Sequence, residues 1–134
     1  MAPRYLLDTD ICIYLRRHDR PKITERFEKL DPDEAAISVI TYGELAFGVA
    51  RSVASAAAEG LERFVRTVRV LALPPDAAKF CGGLRSTLAS SGRLIGPNDL
   101  WIAAHALASD LVLVTNNERE FRRIEGLKIE NWAR

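Results

Sequence analysis

The segment LVLVT at residues 111–115 decides the fold class. Its first four residues are all apolar, whereas a strand with one face in water would alternate apolar and polar side chains. A short apolar run of this kind is typical of a strand in a parallel sheet that helices cover on both faces. We therefore expect an α/β protein with a central, mainly parallel sheet.

Apolar runs and helical patterns alternate along the rest of the chain, without internal repeats. Further strands are predicted at 4–7, 35–40, 68–73 and 127–130. Helices are predicted at 10–17, 21–30, 41–51, 53–68, 75–90, 98–109 and 117–123. This alternation implies helices on both faces of the sheet. The length of 134 residues fits one domain spanning residues 1–134.

The composition restricts the class of protein. Apolar residues make up 48% and charged residues 28% of the chain, which favours a folded protein over a disordered one. The net charge of +1 argues against a uniformly basic nucleic-acid binder, so any positive surface must be local or a metal must supply charge. No apolar run approaches the roughly 20 residues of a membrane helix, and no signal sequence is evident. We expect a cytoplasmic protein without membrane contact.

Three acidic residues lie close to the ends or starts of predicted elements. Asp8 follows the strand 4–7, Glu44 is in the first turn of the helix predicted at 41–51, and Asp99 begins the helix predicted at 98–109. Parallel sheets bind their ligands beyond the carboxyl ends of the strands, where these side chains could meet. Converging carboxylates repel one another unless a cation is present. A carboxylate site suits Mg²⁺ or Mn²⁺, which can activate water for attack on phosphorus.

Each acid alone also has a simpler explanation. Asp8 could cap the following helix, Glu44 could be a solvated helix residue, and Asp99 could favour the positive end of a helix dipole. Their shared position at the predicted sheet edge favours a common site, although spacing does not prove convergence.

Asp8 and Asp10 together allow a different interpretation. An Asp-x-Asp pair after a buried strand also begins haloacid-dehalogenase-like phosphatases, in which the first Asp is the nucleophile. That family has Thr or Val two places after the second Asp, a later Lys and a further acidic pair. Here Cys12 occupies that place and no convincing acidic pair follows, so the phosphatase is the weaker hypothesis.

Three longer segments resemble the PIN-domain ribonuclease toxins of the VapC type. They are YLLDTDICIYLRR at 5–17, ISVITYGELAFGVARS at 37–52 and IGPNDLWIAAHALASDLVLVTNNEREFRRIEGLKIENW at 95–132. The resemblance runs almost from end to end, and it is most evident to the enteric branch that cuts initiator tRNA in the anticodon loop. It implies a PIN-domain-like three-layer fold, an acidic pocket for Mg²⁺ or Mn²⁺, and endoribonuclease activity.

The resemblance also implies partners. They are a cognate VapB-type antitoxin whose C-terminal segment covers the toxin, an RNA substrate of the tRNA class, and a second copy of the chain in a homodimer. Promoter DNA would be reached only through the antitoxin. The remaining alternative is a non-catalytic PIN-like module that binds a partner, although such a scaffold would not need a group of mutually repelling acids.

The resemblance assigns roles residue by residue. Asp8, Glu44 and Asp99 match the catalytic acids of the family, with Asp8 and Asp99 as metal ligands. Glu44 would bind the metal through water or orient the attacking water. Thr115 matches the polar residue at the end of the fourth strand.

The sequence departs from the family pattern at two places. Many PIN domains have a fourth acid where this chain has Asn117; Glu120 could replace it, but Asn117 and Glu120 also have the spacing of a capping box. The second departure is Asp10, where relatives often have Asn.

Two further surfaces are candidates for binding. The segment LRRHDRPK at 15–22 supplies candidate RNA-phosphate contacts, with a solvated surface run as the alternative. These candidates are Arg16, Arg17, Arg20 and Lys22. Small and apolar residues at 41–53 and 60–68 are candidates for a groove that receives an antitoxin helix.

Overall fold

A five-stranded parallel sheet organises the chain in the computed structural model, which describes residues 2–134. The strands are β1 (Tyr5–Leu7), β2 (Ala35–Ser38), β3 (Arg69–Leu71), β4 (Val112–Val114) and β5 (Ile129–Glu130). Their spatial order is β3-β2-β1-β4-β5, and every neighbouring pair is parallel. At the centre, Leu6 is paired with Ala36 on one side and Leu113 on the other. The predicted parallel sheet is confirmed.

Seven helices connect these strands. They are α1 (Thr9–Arg17), α2 (Pro21–Glu28), α3 (Val39–Arg51), α4 (Ala57–Thr67), α5 (Asp76–Ser90), α6 (Pro97–Ala108) and α7 (Glu118–Phe121), with one 3₁₀ turn at Pro32–Glu34. All seven were predicted; five begin within one residue of the predicted start, whereas α3 begins two residues before it and α4 four residues after it. Among residues 2–134, no helix combines the length and the apolar character that crossing a bilayer requires.

The two shifted helix starts have local causes. The strand predicted at 35–40 ends at Ser38, because the Ser38 hydroxyl accepts a hydrogen bond from the Ile40 amide (3.1 Å) and starts α3 there. Helix α4 begins at Ala57 rather than 53. The Ser52 hydroxyl instead accepts a bond from the Ala54 amide (3.1 Å), which holds this stretch in a turn.

The sheet has a hydrophobic core on each face, because side chains of a strand alternate between faces. Leu6 packs on the side of α5 and α6, where Ile102 is fully buried. Leu7 packs on the opposite side with Ile11 of α1 and Leu45 of α3. The chain is therefore a three-layer α/β structure, as the resemblance implied.

Strand pairing sets the position of the first acid. The Asp8 amide donates to the carbonyl of Val114 (2.8 Å), so the β1–β4 pairing continues one residue past β1. Asp8 therefore lies beside Thr115, which directly follows β4. This carboxyl edge of the central strands is where the candidate site is found.

Candidate active site

Asp8 is held in one orientation at the sheet edge. It is 5% exposed, its Oδ1 accepts the Thr9 amide (2.8 Å), and its Oδ2 accepts the Thr115 hydroxyl (2.7 Å). The Asn117 amide in turn donates to Thr115 Oγ1 (3.0 Å), which orients that hydroxyl toward Asp8. Burial, followed by the charge of Asp10, raises the pKa of Asp8 to about 7, although the two hydrogen bonds oppose this rise.

Asp99 lies among other carboxylates in the first turn of α6. Its pKa is raised to about 6. Burial is the largest cause, and the charges of Glu120, Glu44 and Asp10 are the next largest. The charge of Asp99 also raises the pKa of Asp8. The structure thus brings the three predicted acids within electrostatic reach of one another, and it adds Asp10 and Glu120. We call these five residues the acid cluster.

Glu44 reaches the acid cluster from the second turn of α3, not the first, because α3 begins at Val39. Its Oε1 accepts the Thr9 hydroxyl (2.5 Å), and its Oε2 accepts Asn98 Nδ2 (3.4 Å). The sequence did not indicate Thr9 or Asn98, although each is the neighbour of a predicted acid. Adjacency to Asp8 and Asp99 was the available signal.

Glu120 belongs to the acid cluster, and the capping-box alternative is wrong. No side-chain hydrogen bond caps α7. The side chain of Asn117 instead donates to Glu120 Oε2 (2.7 Å), and the Gly96 amide donates to Glu120 Oε1 (3.2 Å). A hydrogen bond with Glu120 also contributes to the raised pKa of Asp99. Glu120 therefore fixes the start of α6 next to Asp99.

Asp10 connects α1 to the loop that follows β4. Its Oδ1 accepts the Ile11 amide (2.7 Å) and its Oδ2 accepts the Asn116 amide (3.1 Å). Burial raises the pKa of Asp10, while these two amides and the charge of Arg20 oppose the rise. Both carboxylate oxygens are thus engaged by backbone amides, so Asp10 has a structural use at the rim of the cluster.

The donor chemistry of the acid cluster fits a hydrated hard cation. Within residues 2–134, no group of three or more His, Cys, Asp or Glu side chains could hold a metal ion by itself. Zn²⁺ usually takes such a closed set, whereas Mg²⁺ is commonly bound by one or two carboxylates and keeps several waters. Burial is the main cause of the raised pKa values of Asp8 and Asp99, and the charges of neighbouring carboxylates add to it; a divalent cation would offset that added negative charge.

Comparison with known proteins identifies relatives over nearly the whole chain. The PIN-domain family model matches residues 5–127. The tRNA(fMet)-specific endonuclease VapC of Salmonella typhimurium strain LT2 is 41% identical, with 97% of this chain and 98% of that protein covered. Ribonuclease VapC1 of Haemophilus influenzae strain R2866 is 43% identical at the same coverage. The crystal structure of DNA-bound VapBC from Salmonella typhimurium matches with a TM-score of 0.91 and 40% identity, covering 97% of this chain and 98% of that one.

Proposed function

Because the chain belongs to the PIN-domain family and is a VapC-type ribonuclease toxin, we propose that its acid cluster hydrolyses a phosphodiester bond of tRNA. The observation that supports this site is the position of Asp8 and Asp99. Both lie at the carboxyl edge of a parallel sheet, and both have pKa values raised by burial and by carboxylate neighbours. A binding scaffold gains nothing from such an arrangement, so the support favours the enzyme over the non-catalytic module. The match to PIN-domain ribonucleases also removes the ground for the phosphatase hypothesis.

Asp8 and Asp99 are the proposed ligands of Mg²⁺, with Mn²⁺ as the alternative ion. When bound, the ion neutralises the crowded carboxylates and supplies Lewis-acid chemistry for attack of water on phosphorus. Thr115 and the Thr9 amide prevent rotation of the Asp8 carboxylate, so its remaining lone pairs keep one direction. Glu120 replaces the fourth acid of other PIN domains from three residues further along the chain.

Glu44 is the proposed acceptor for the attacking water. Thr9 and Asn98 hold its two oxygens, which leaves lone pairs on both for a hydrogen bond to water. Attack by water leaves a 5′-phosphate and a 3′-hydroxyl. Attack by the ribose 2′-hydroxyl would leave a cyclic phosphate and would contradict this mechanism.

The substrate proposal comes from the relatives. VapC proteins of Shigella flexneri and Salmonella typhimurium are named tRNA(fMet)-specific endonucleases, at 38% and 41% identity. We propose tRNA(fMet) as the substrate of this chain, cut in the anticodon loop. Unpaired loop nucleotides can leave the stack and place a phosphate in a pocket, which paired nucleotides cannot do easily.

A groove lined by residues of α1, α2, α3 and α4 is the proposed site for an antitoxin segment. Its volume is about 880 Å³, and it includes no member of the acid cluster. Apolar residues such as Val49 and Phe64 line it together with Arg16, Arg17 and Arg63. An apolar floor with a basic rim suits an amphipathic acidic segment. The solved VapBC relatives from Salmonella typhimurium and Haemophilus influenzae support a VapB-type partner, and the former is bound to DNA. Promoter DNA would then reach this chain only through that partner.

A homodimer completes the proposed assembly. Phe47 of α3 is 67% exposed, and Val53 after α3 is fully exposed. Neither residue lines the antitoxin groove. Large exposed apolar side chains outside that groove favour a further protein contact, and a second copy of the chain is the proposed occupant.

The test is cleavage of total tRNA by the antitoxin-free chain in Mg²⁺ or Mn²⁺, with the ends mapped. Asp8→Asn and Asp99→Asn each remove one ligand charge with little change of volume. We expect each to lower the cleavage rate by at least ~100-fold, because second-shell changes alone cost 10–100-fold. Asp110→Asn is the matched control, since Asp110 is exposed and pairs only with Lys128 in the described chain (3.0 Å).

Three results would contradict the proposal. Cleavage retained by folded Asp8→Asn would remove that residue from the site, and cyclic-phosphate ends would exclude water as the nucleophile. Folded wild-type chain that cuts no tRNA, while Mg²⁺ raises its melting temperature, would favour the partner-binding module.

A further inference from the structure

The basic segment at 15–22 is divided between two surfaces. Arg16 Nη2 donates to the carbonyl of Ala57 (3.5 Å), and Arg16 and Arg17 line the antitoxin groove. Arg20 does not line that groove. Its guanidinium carbon lies 4.1 Å from the centre of the Tyr14 ring, and its side chain is exposed. Arg20 therefore lies on a different surface from Arg16 and Arg17, and its contact with Tyr14 leads toward the acid cluster.

A short series of contacts leads from Arg20, through the Tyr14 ring and Asn116, to Asp8. The Tyr14 hydroxyl accepts a bond from Asn116 Nδ2 (3.3 Å), and Asn116 directly follows Thr115, which binds Asp8. Asn131 Nδ2 donates to Asn116 Oδ1 (3.1 Å) and holds the same side chain from the opposite direction. The ring below Arg20 is therefore fixed relative to the acid cluster.

Arg20 also lies close enough to Asp10 to oppose the rise of its pKa. Within the described residues 2–134, however, no carboxylate is in ion-pair contact with Arg20. Its donors thus remain available to an anion. An arginine that stacks on an aromatic ring loses less freedom on binding than a free one does, and its planar fork matches a phosphate.

We infer that Arg20, stacked on Tyr14, binds an RNA phosphate next to the one that is cut. This inference rests on the proposed function, because it assumes that RNA enters the acid cluster. RNA approaching five carboxylates is repelled, and with a net charge of +1 the chain needs a local cation to offset this. Arg20 supplies that charge at the rim, outside the metal ligands.

The experiment measures binding separately from cleavage. The probe is a synthetic RNA hairpin with the anticodon stem and loop of tRNA(fMet), and Kd is measured in the Asp8→Asn background across a salt series. Arg20→Ala should weaken binding about tenfold and lower the salt slope by about one, as loss of one phosphate contact does. Arg20→Lys should restore most of the salt slope but only part of the affinity, because it keeps the charge and loses the planar fork. With Asp8 intact, Arg20→Ala should raise KM and leave kcat within about twofold.

Arg66→Ala is the control. Arg66 is an exposed residue of α4 that pairs only with Glu62 within the described residues (3.6 Å), and its loss should leave Kd unchanged.

Unchanged Kd and KM in Arg20→Ala would overturn the inference while wild-type cleavage still supports the proposed function. A lower kcat at unchanged Kd would also overturn the inference, because it would show that Arg20 affects the reaction through Asp10 and does not bind RNA. A salt slope of Arg20→Lys as low as that of Arg20→Ala would also overturn the inference, because a retained charge in contact with a phosphate would restore the slope. Failure of the wild-type chain to cut would instead count against the proposed function.

Discussion

Thr9 joins two carboxylates that come from different elements. Its amide binds Asp8 and its hydroxyl binds Glu44, so a single residue at the start of α1 sets the spacing of both. The same hydroxyl lies 3.4 Å from Thr41 Oγ1, which confines its rotation. The backbone contact depends on chain geometry, whereas the contact to Glu44 depends only on the hydroxyl. A substitution can therefore remove the second contact and keep the first.

Thr9→Val should lower kcat by about 10–100-fold with little change in KM, because Glu44 would lose a positioning hydrogen bond. Thr9→Ser keeps the hydroxyl and should stay close to wild type. Steady-state cleavage of tRNA(fMet) at saturating Mg²⁺ makes the measurement. Equal activity of the Val and Ser variants would show that the hydroxyl does not position Glu44.

Single residues were predictable where a pattern placed them at a sheet edge. Asp8 and Asp99 were found from strand ends, helix starts and the family resemblance. Thr9 and Asn98 were not, because their contacts to Glu44 depend on where α3 lies relative to α1 and α6. Glu120 stayed ambiguous, since a capping box and a site residue have the same spacing and differ only in side-chain direction.

At the scale of elements, α3 is fixed at its first residue by a buried contact. The Ser38 hydroxyl caps α3 and also lies 2.8 Å from His105 Nδ1 on α6. Both side chains are buried, and burial lowers the pKa of His105, so the neutral ring is favoured. Because Glu44 is on α3 and Asp99 on α6, this contact joins the start of one acid-bearing helix to the other helix.

Ser38→Ala should lower the free energy of unfolding by about 1–3 kcal/mol, since α3 loses its cap and His105 loses a buried partner. Urea unfolding gives the value. Ser52→Ala is the matched control, because the exposed Ser52 hydroxyl bonds only the nearby Ala54 amide among residues 2–134; its effect should stay within about 0.5 kcal/mol. Similar values for the two variants would mean that the contact with His105 adds nothing.

The existence and order of the elements followed from the sequence, but several ends did not. Apolar periodicity continues across Ser38 and cannot show that a hydroxyl ends β2 and starts α3 there. The turn before α4 has the same difficulty, because the small residues and the valine at 53–56 are compatible with a helix, yet the Ser52 hydroxyl holds the backbone in a turn. In both cases a side-chain hydrogen bond decided a boundary that hydrophobic pattern left open.

At the scale of the whole molecule, folding brings acids from residue 8 to residue 120 into one cluster. In the unfolded chain these carboxylates are solvated and separate, and they ionise near their ordinary pKa. In the folded chain, burial and neighbouring carboxylates raise the pKa of Asp8 to about 7 and that of Asp99 to about 6. The native state therefore binds these protons more tightly than the unfolded state does. The stability that this provides is present at low pH and is lost as pH rises through about 6 to 7.

The metal-free chain should thus melt at progressively lower temperature between pH 5 and pH 8. Asp8→Asn cannot ionise at that position, so its melting temperature should fall less steeply over the same range. Asp110→Asn, with an exposed carboxylate replaced, should follow the wild-type slope. At pH 8, millimolar Mg²⁺ or Mn²⁺ should raise the melting temperature of the wild type, because a ligand of the folded state stabilises it, and should raise that of Asp8→Asn much less. Parallel slopes for wild type and Asp8→Asn would show that the acids are not coupled to folding. A metal effect of equal size in both would place the bound ion away from Asp8.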